Sequence, residues 1–283
     1  MLASLLIFLR EGIEGSMIVT IMCTYLVKAG RRDLVRAVLL GVLAALACSA
    51  VAGIAIYAVA RDSFINSTVQ AWFETGTFLL AVIVLTYMTF WMRRNSRSLS
   101  GDLKARMGEA IAAGSALSLA SLAFVTVGRE SIETVIFLLA IAFKSSWLSL
   151  LSGAVIGLGL AAVISVGVFR LGIRMNFKRF FTVMGALLMV VAAGLLADAV
   201  QNLQELGALP GRSLTLWDTT RLLPEDSNLG DILHGLLGYA SSPSLLQVLV
   251  WALFLSVGLA VFFHRPTAPG RPSRSLGSGA AGS

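Results

Sequence analysis

The chain carries one charged pentapeptide twice, Arg10-Glu11-Gly12-Ile13-Glu14 and Arg129-Glu130-Ser131-Ile132-Glu133, each inside a long apolar run. An ionisable side chain at the centre of a hydrocarbon-spanning helix costs about 2.5 to 3.5 kcal/mol on insertion scales. Three such residues per copy restrict the fold to one in which both runs turn their charges toward a protein interior and partner them there. A lone Arg/Glu pair at helical spacing is commonly no more than a salt bridge that fixes packing. Two copies argue for shared chemistry instead.

The surrounding sequence sets the class. Hydrophobic residues make up 57% of the 283 and charged residues only 13%, well below the quarter or so that soluble domains carry. The expected fold is all-α: a polytopic membrane protein with seven spans, near residues 2–27, 37–60, 69–92, 111–143, 147–169, 180–203 and 245–263. Each is long enough to cross a bilayer, the fourth with tilt. The first run has no basic leader, and Arg10, Glu11 and Glu14 interrupt it, so it reads as an uncleaved span rather than a signal peptide. Cys23 and Cys48 lie inside apolar runs without a metal-type or disulfide-type spacing and read as packing residues.

The net charge of +7 does not indicate nucleic acid, because the basic residues cluster between apolar runs. Lys28, Arg31, Arg32 and Arg36 follow span one; Arg93, Arg94, Arg97, Lys104 and Arg106 follow span three. Arg170, Arg174, Lys178 and Arg179 follow span five, and Arg265, Arg271 and Arg274 follow span seven. The opposite side holds only Arg61, Lys144, Arg212 and Arg221. The positive-inside rule then puts the N-terminus outside and the C-terminus in the cytoplasm of a multi-pass membrane protein.

Three span starts separate the two motifs, so spans one to three and four to six cross in opposite senses. The organisation expected is a first three-helix repeat (1–108), a second, inverted repeat (109–203), an external loop (204–244) and a seventh span (245–264). A disordered cytoplasmic tail (265–283) rich in Pro, Gly, Ser and Ala completes it. Within the loop, residues 229–239 suit a short helix on the bilayer surface. Inverted repeats place a transporter's substrate site near mid-membrane, between the halves.

Helix geometry puts residues three and four apart on one face, about 4.5 Å apart along the axis for Glu11 and Glu14. If the halves meet, Glu11, Glu14, Glu130 and Glu133 converge with Arg10 and Arg129 as supporting charges, for a formal charge of minus two. Carboxylates without Cys or His select a hard or borderline cation such as iron, manganese, magnesium or calcium. Met17, Met22 and Cys23 have no equivalent after the second motif, which argues against copper(I). Clustered carboxylates titrate as a coupled set, and an entering metal displaces their protons. No permanently bound cofactor and no catalytic nucleophile is expected.

Glu74, Asp198 and Glu205 fall near the outer ends of their spans and are candidates for an outer entrance, against the plainer reading of solvated interface carboxylates. His234 in the loop and His264 at the end of span seven are not read as ligands. Gly153, Gly157 and Gly159 read as close-packing surfaces.

These residues resemble the high-affinity iron permease family: the fungal oxidase-coupled iron permeases and their bacterial iron-uptake relatives. The likeness rests on the paired R-E-x-x-E motifs and on Glu74. It also draws on the stretch Leu85-Thr86-Tyr87-Met88 through Phe90-Trp91-Met92, on Gly128 through Leu138, and on Leu216-Trp217-Asp218 and Gly238-Tyr239 before span seven. It implies import of ferric or ferrous iron across the cytoplasmic (inner) membrane, with the four glutamates as ligands and the iron ion as substrate. It further implies an extracytoplasmic oxidase, peroxidase or iron-binding protein as partner, contact with membrane lipid, and leaves a homo-oligomer open. The chain departs from the family in two places. Ser131 stands where glycine is usual, and Asp198-Ala199-Val200-Gln201-Asn202 stands where a histidine often occurs, which passes any entrance role to Asp198. The alternatives are a permease for another divalent cation such as manganese, a non-transporting scaffold, and a membrane di-metal carboxylate oxidase. The oxidase would need Glu-x-x-His pairs, and none follows these glutamates.

Overall fold

The structure is a computed structural model that describes residues 1–63, 67–95, 99–112, 115–142, 147–170, 177–212, 214–224 and 227–264. The tail 265–283 lies outside the described residues, as do Arg97, Lys144, Arg174, Glu225 and Asp226. The described residues form nine α-helices: α1 (Leu2–Lys28), α2 (Val35–Ser63), α3 (Ser67–Asn95), α4 (Leu99–Ala112), α5 (Ala116–Ala142), α6 (Trp147–Arg170), α7 (Phe177–Glu205), α8 (Asn228–Leu237) and α9 (Leu245–His264). Five of them, α2, α3, α6, α7 and α9, are long and apolar enough to cross a membrane. Helices α1 and α5 have 27 residues each, about 40 Å at 1.5 Å per residue. Their motif charges, placed near mid-helix, are what separate them in composition from the other five.

Helix α4 is a feature the hydropathy pattern missed, since the fourth apolar run was expected to start at residue 111. The segment is polar overall, with Asp102, Lys104, Arg106 and Glu109 on its exposed side. One turn apart, Leu103 and Met107 are buried against Met22, Leu26, Leu34 and Val38. That narrow stripe suffices for a helix lying against α1 rather than one crossing a bilayer.

Packing is organised in pairs. Helix α1 lies along α6, α2 along α5 and α3 along α7, while α9 packs on α7 and α8 rests against α7 and α1. Close approach in the first two pairs depends on glycine. A Cβ on Gly153 would overlap Ser4 Oγ and the Met1 carbonyl, and one on Gly41 would overlap the Ala120 carbonyl. Gly157 likewise lies against Leu5 and Phe8, whereas Gly159 meets nothing within 4 Å and does not serve the packing role expected of it.

Two apolar clusters flank the motifs. Ala3 and Ile7 of α1 join Phe137, Ala140 and Ile141 of α5, with Phe78, Leu85, Leu188 and Leu195 from α3 and α7. On the other side, Ile18, Met22 and Leu26 of α1 join Leu119, Ala123 and Val127 of α5. The start of α1 thus meets the end of α5 and the reverse, so the two motif helices run antiparallel with their charges between two apolar plugs.

The connection between α7 and α9 is tied down rather than loose. An isolated antiparallel bridge joins Thr215 to Ser244, with Leu216 N donating to the Pro243 carbonyl (3.1 Å) and Thr219 N to the Ser241 carbonyl (2.8 Å). Within it, Ser227 caps α8 by accepting from Gly230 N at 3.0 Å. Gly238, at φ +69°, closes that helix, a left-handed conformation that glycine adopts without penalty.

Candidate functional site

Arg10, Glu11 and Glu14 are buried together on α1. Arg10 Nη1 donates to Glu11 Oε1 at 2.7 Å, and Arg10 Nε lies 3.0 Å from Glu14 Oε1. The second of these is an ion pair without hydrogen-bond alignment, because Glu14 Oε1 has no hydrogen-bond partner among the described residues. On α5, Arg129 Nε donates to Glu133 Oε1 at 3.2 Å. The four-residue spacing puts each pair on one helix face.

The two arginines differ in their surroundings. The Arg10 side chain is 3% exposed and Arg129 46%. Arg129 is stacked over Trp91, its Cζ 4.7 Å from the ring centroid, and its Nη2 reaches Met88 Sδ at 3.3 Å. Both partners lie on α3, and neither contact is signalled by the motif itself.

Across the α1–α5 junction, Glu11, Glu14 and Glu130 each place a carboxylate oxygen within 4.8 Å of the other two. Glu133 is not in this trio; Arg129 holds it. One buried oxygen on each of the four glutamates has no hydrogen-bond partner among the described residues. Buried polar atoms are rarely left so; that of Glu14 already lies 3.0 Å from the Arg10 guanidinium, while those of Glu11 and Glu130 are open to a cation. Metal–oxygen bonds of about 2 Å put opposed ligands about 4 Å apart, so the trio needs only small side-chain rotations to share one ion.

Glu11 and Glu130 also line a cleft of about 690 Å³ between α1, α2, α5 and α6, to which Ser16, Thr20, Ser49, Ser131 and Thr134 contribute hydroxyls. The rest of the lining is mostly apolar, with Phe8, Val42, Leu46 and Leu138 among it. The cleft explains the departure at Ser131. A Cβ on Gly12, the equivalent position, would stand 2.7 Å from Ala161 Cβ, whereas Ser131 lines open space and bonds its own helix at the Val127 carbonyl (2.9 Å).

The candidate entrance residues are engaged separately. Gln70 Nε2 donates to Glu74 (2.9 Å) and Gln201 Nε2 to the exposed Glu205 (3.2 Å). Asp198 is buried, and its Oδ1 lies 3.7 Å from His234 Nε2. No described contact joins the three carboxylates. Met22 and Cys23 take no part in the site: Met22 is fully buried in an apolar cluster, and Cys23 is a partly buried free thiol.

The family model for the iron permease FTR1 family matches residues 1–266. The chain belongs to this iron permease family. Among its relatives is the ferrous iron permease EfeU of Escherichia coli O6:H1, 33% identical over 281 residues and covering 98% of this chain and 100% of the relative. EfeU of Shigella sonnei is 33% identical over 280 residues (97% and 100%), and that of Yersinia pestis 32% over 275 residues (94% and 94%). No solved structure matches. Membership of an iron permease family, with relatives named as permeases, makes the protein an integral membrane transporter rather than an enzyme.

Proposed function

We propose that the protein imports ferrous iron across the cytoplasmic membrane through one carboxylate site built from both R-E-x-x-E motifs. The observation that carries this reading is the approach of Glu11, Glu14 and Glu130 from two different helices to within 4.8 Å. Four glutamates and two arginines leave a formal minus two, which a divalent ion neutralises and a trivalent one would overshoot. In a low-dielectric interior that residual charge is costly. The relatives named ferrous iron permeases agree with this choice.

In this reading α1, α2 and α3 are related to α5, α6 and α7 by a two-fold axis in the membrane plane, with α9 added outside the repeat. Exchanging the two sets leaves the pairings α1–α6, α2–α5 and α3–α7 unchanged, and antiparallel α1 and α5 agree with it. Seven crossings follow, with the N-terminus outside.

Iron enters from the outer side, where an extracytoplasmic oxidase, peroxidase or iron-binding protein supplies it, and exchanges its waters for Glu11, Glu14 and Glu130, with Glu133 turning from Arg129 to join them as the fourth ligand. Arg10 and Arg129 hold the carboxylates charged and aimed. Binding competes with protons at these oxygens, so apparent affinity falls as pH falls. The two apolar plugs close the site on both sides, and transport requires them to open in turn.

The test is uptake of radioactive ferrous iron into liposomes containing the purified protein, with manganese as competitor and Glu14→Gln and Glu133→Gln beside the parent. Saturable iron flux lost in either variant is expected. Flux preserved in both returns the motifs to structural ion pairs, and flux preferring manganese changes the substrate.

A further inference from the structure

We propose that Asp198 and His234 form a second cation station, for a borderline divalent ion of the ferrous type, on the outer side of the glutamate site. The inference rests on the permease reading above for the ion's identity and for the direction of travel.

The imidazole is held by the end of its own helix. Gly238 N donates to the His234 carbonyl at 2.9 Å and Tyr239 N to the Leu233 carbonyl at 3.3 Å, which folds the Tyr239 carbonyl back over the ring, 2.7 Å from Nδ1. A carbonyl only accepts, so Nδ1 carries the hydrogen. In the neutral ring Nε2 is then a lone pair, and it faces Asp198 Oδ1 at 3.7 Å. That separation is too long for a hydrogen bond. It suits two ligands of one ion, since bonds of about 2.1 Å spanning it subtend roughly 120°.

Asp198 and His234 line a cavity of about 20 Å³ with Ala3, Ile141, Gly194 and Gly235, enough for one water-sized occupant. Helix α8 is pinned over it, because Gly238 and Gly194 approach so closely that a Cβ on either would overlap the other's backbone.

The position falls in line with the motifs. Ala3, Ile7 and Glu11 are one turn apart along α1, and Ile141, Phe137 and Glu133 one turn apart along α5. The cavity lies about 12 Å along the axis from the glutamates, with Ile7 and Phe137, both fully buried, between. An imidazole with a carboxylate favours first-row transition ions over magnesium or calcium, which the all-carboxylate site does less well. Two protein ligands hold an ion only transiently, as a relay requires.

The chain has two histidines, and no glutamate of the motifs is near an imidazole ligand, so imidazole coordination is a specific signature. The experiment loads the purified full-length protein with Co²⁺ and reads its ligands by X-ray absorption and its affinity by titration. Two classes are expected: an all-oxygen class removed by Glu11→Gln with Glu14→Gln, and an imidazole-containing class removed by His234→Gln and by Asp198→Asn but kept in His264→Gln. In ferrous uptake, His234→Gln is expected to raise the half-saturating concentration by at least the roughly tenfold that even outer-shell metal partners carry, with the maximal rate retained. An all-oxygen parent, or an imidazole signature that survives His234→Gln, overturns the station and leaves the glutamate site standing. An all-oxygen class that is absent from the parent, or that survives Glu11→Gln with Glu14→Gln, overturns the glutamate site and leaves the station.

Discussion

Arg10 Nη1 stands 2.7 Å from Glu11 Oε1 with both side chains almost wholly removed from solvent, and the same guanidinium reaches Glu14. Its repeat partner Arg129 is 46% exposed and leans on Trp91. Removing one member of a buried pair strands the other charge and costs about 3 to 5 kcal/mol. Arg129→Met strands one buried carboxylate, Glu133, where Arg10→Met strands two, Glu11 and Glu14. Arg10→Met is therefore expected to lower the thermal unfolding midpoint in detergent far more than Arg129→Met, and equal losses would contradict the asymmetry.

Gly12 and Ser131 occupy the same motif position under different constraints. Ala161 leaves no room for a Cβ on Gly12, while Ser131 lines a cleft. Gly12→Ala is expected to push α1 from α6 at about 1 to 3 kcal/mol and to impair uptake. Ser131→Gly is expected to leave uptake near the parent level, as measured in the same liposomes.

Ile7 and Phe137 sit one turn from Glu11 and Glu133 and belong to one apolar cluster. Phe137→Ala removes a fully buried ring, a change that costs about 3 to 5 kcal/mol in packed interiors, and it opens the plug. The expected outcome is a proton leak in liposomes without iron, read with an internal pH dye. A tight Phe137→Ala variant would show that the cluster does not close the path.

Asp218, outside the spans, accepts from Thr220 Oγ1 at 2.6 Å and from Thr220 N at 3.0 Å. These bonds favour the charged form and hold its carboxyl below the ordinary value. A depressed folded value means that the contribution to loop order is present above the unfolded pKa and is lost as pH falls through the folded one. Thr220→Ala is expected to move the Asp218 titration, followed by carbon NMR, upward toward the ordinary carboxylate value.

Much of this was legible because membrane helices announce themselves. The apolar runs 147–169, 180–203 and 245–263 end within three residues of the helices observed, and the motif carboxylates fall where four-residue spacing puts them. Less visible were features made by contacts between distant segments. The narrow Leu103 and Met107 stripe of α4 is too short to stand out in hydropathy. The meeting of Asp198 with His234 joins α7 to α8 with no periodic signal, and a lone loop histidine gave no reason to expect it. Nor does the sequence distinguish Glu133, held by Arg129, from the trio of Glu11, Glu14 and Glu130; that difference arises from how the two helices are set against each other.

The central claim is that both motifs build one ion site. A double-mutant cycle on ferrous iron affinity tests it most directly, using Glu11→Gln, Glu130→Gln and the double variant in the purified protein under anaerobic conditions. Ligands of a shared ion are coupled, so the double variant is expected to lose affinity by an amount that departs from the sum of the single losses by more than about 0.5 kcal/mol. Strict additivity would mean that the two glutamates serve separate sites, and the single carboxylate centre would have to be abandoned.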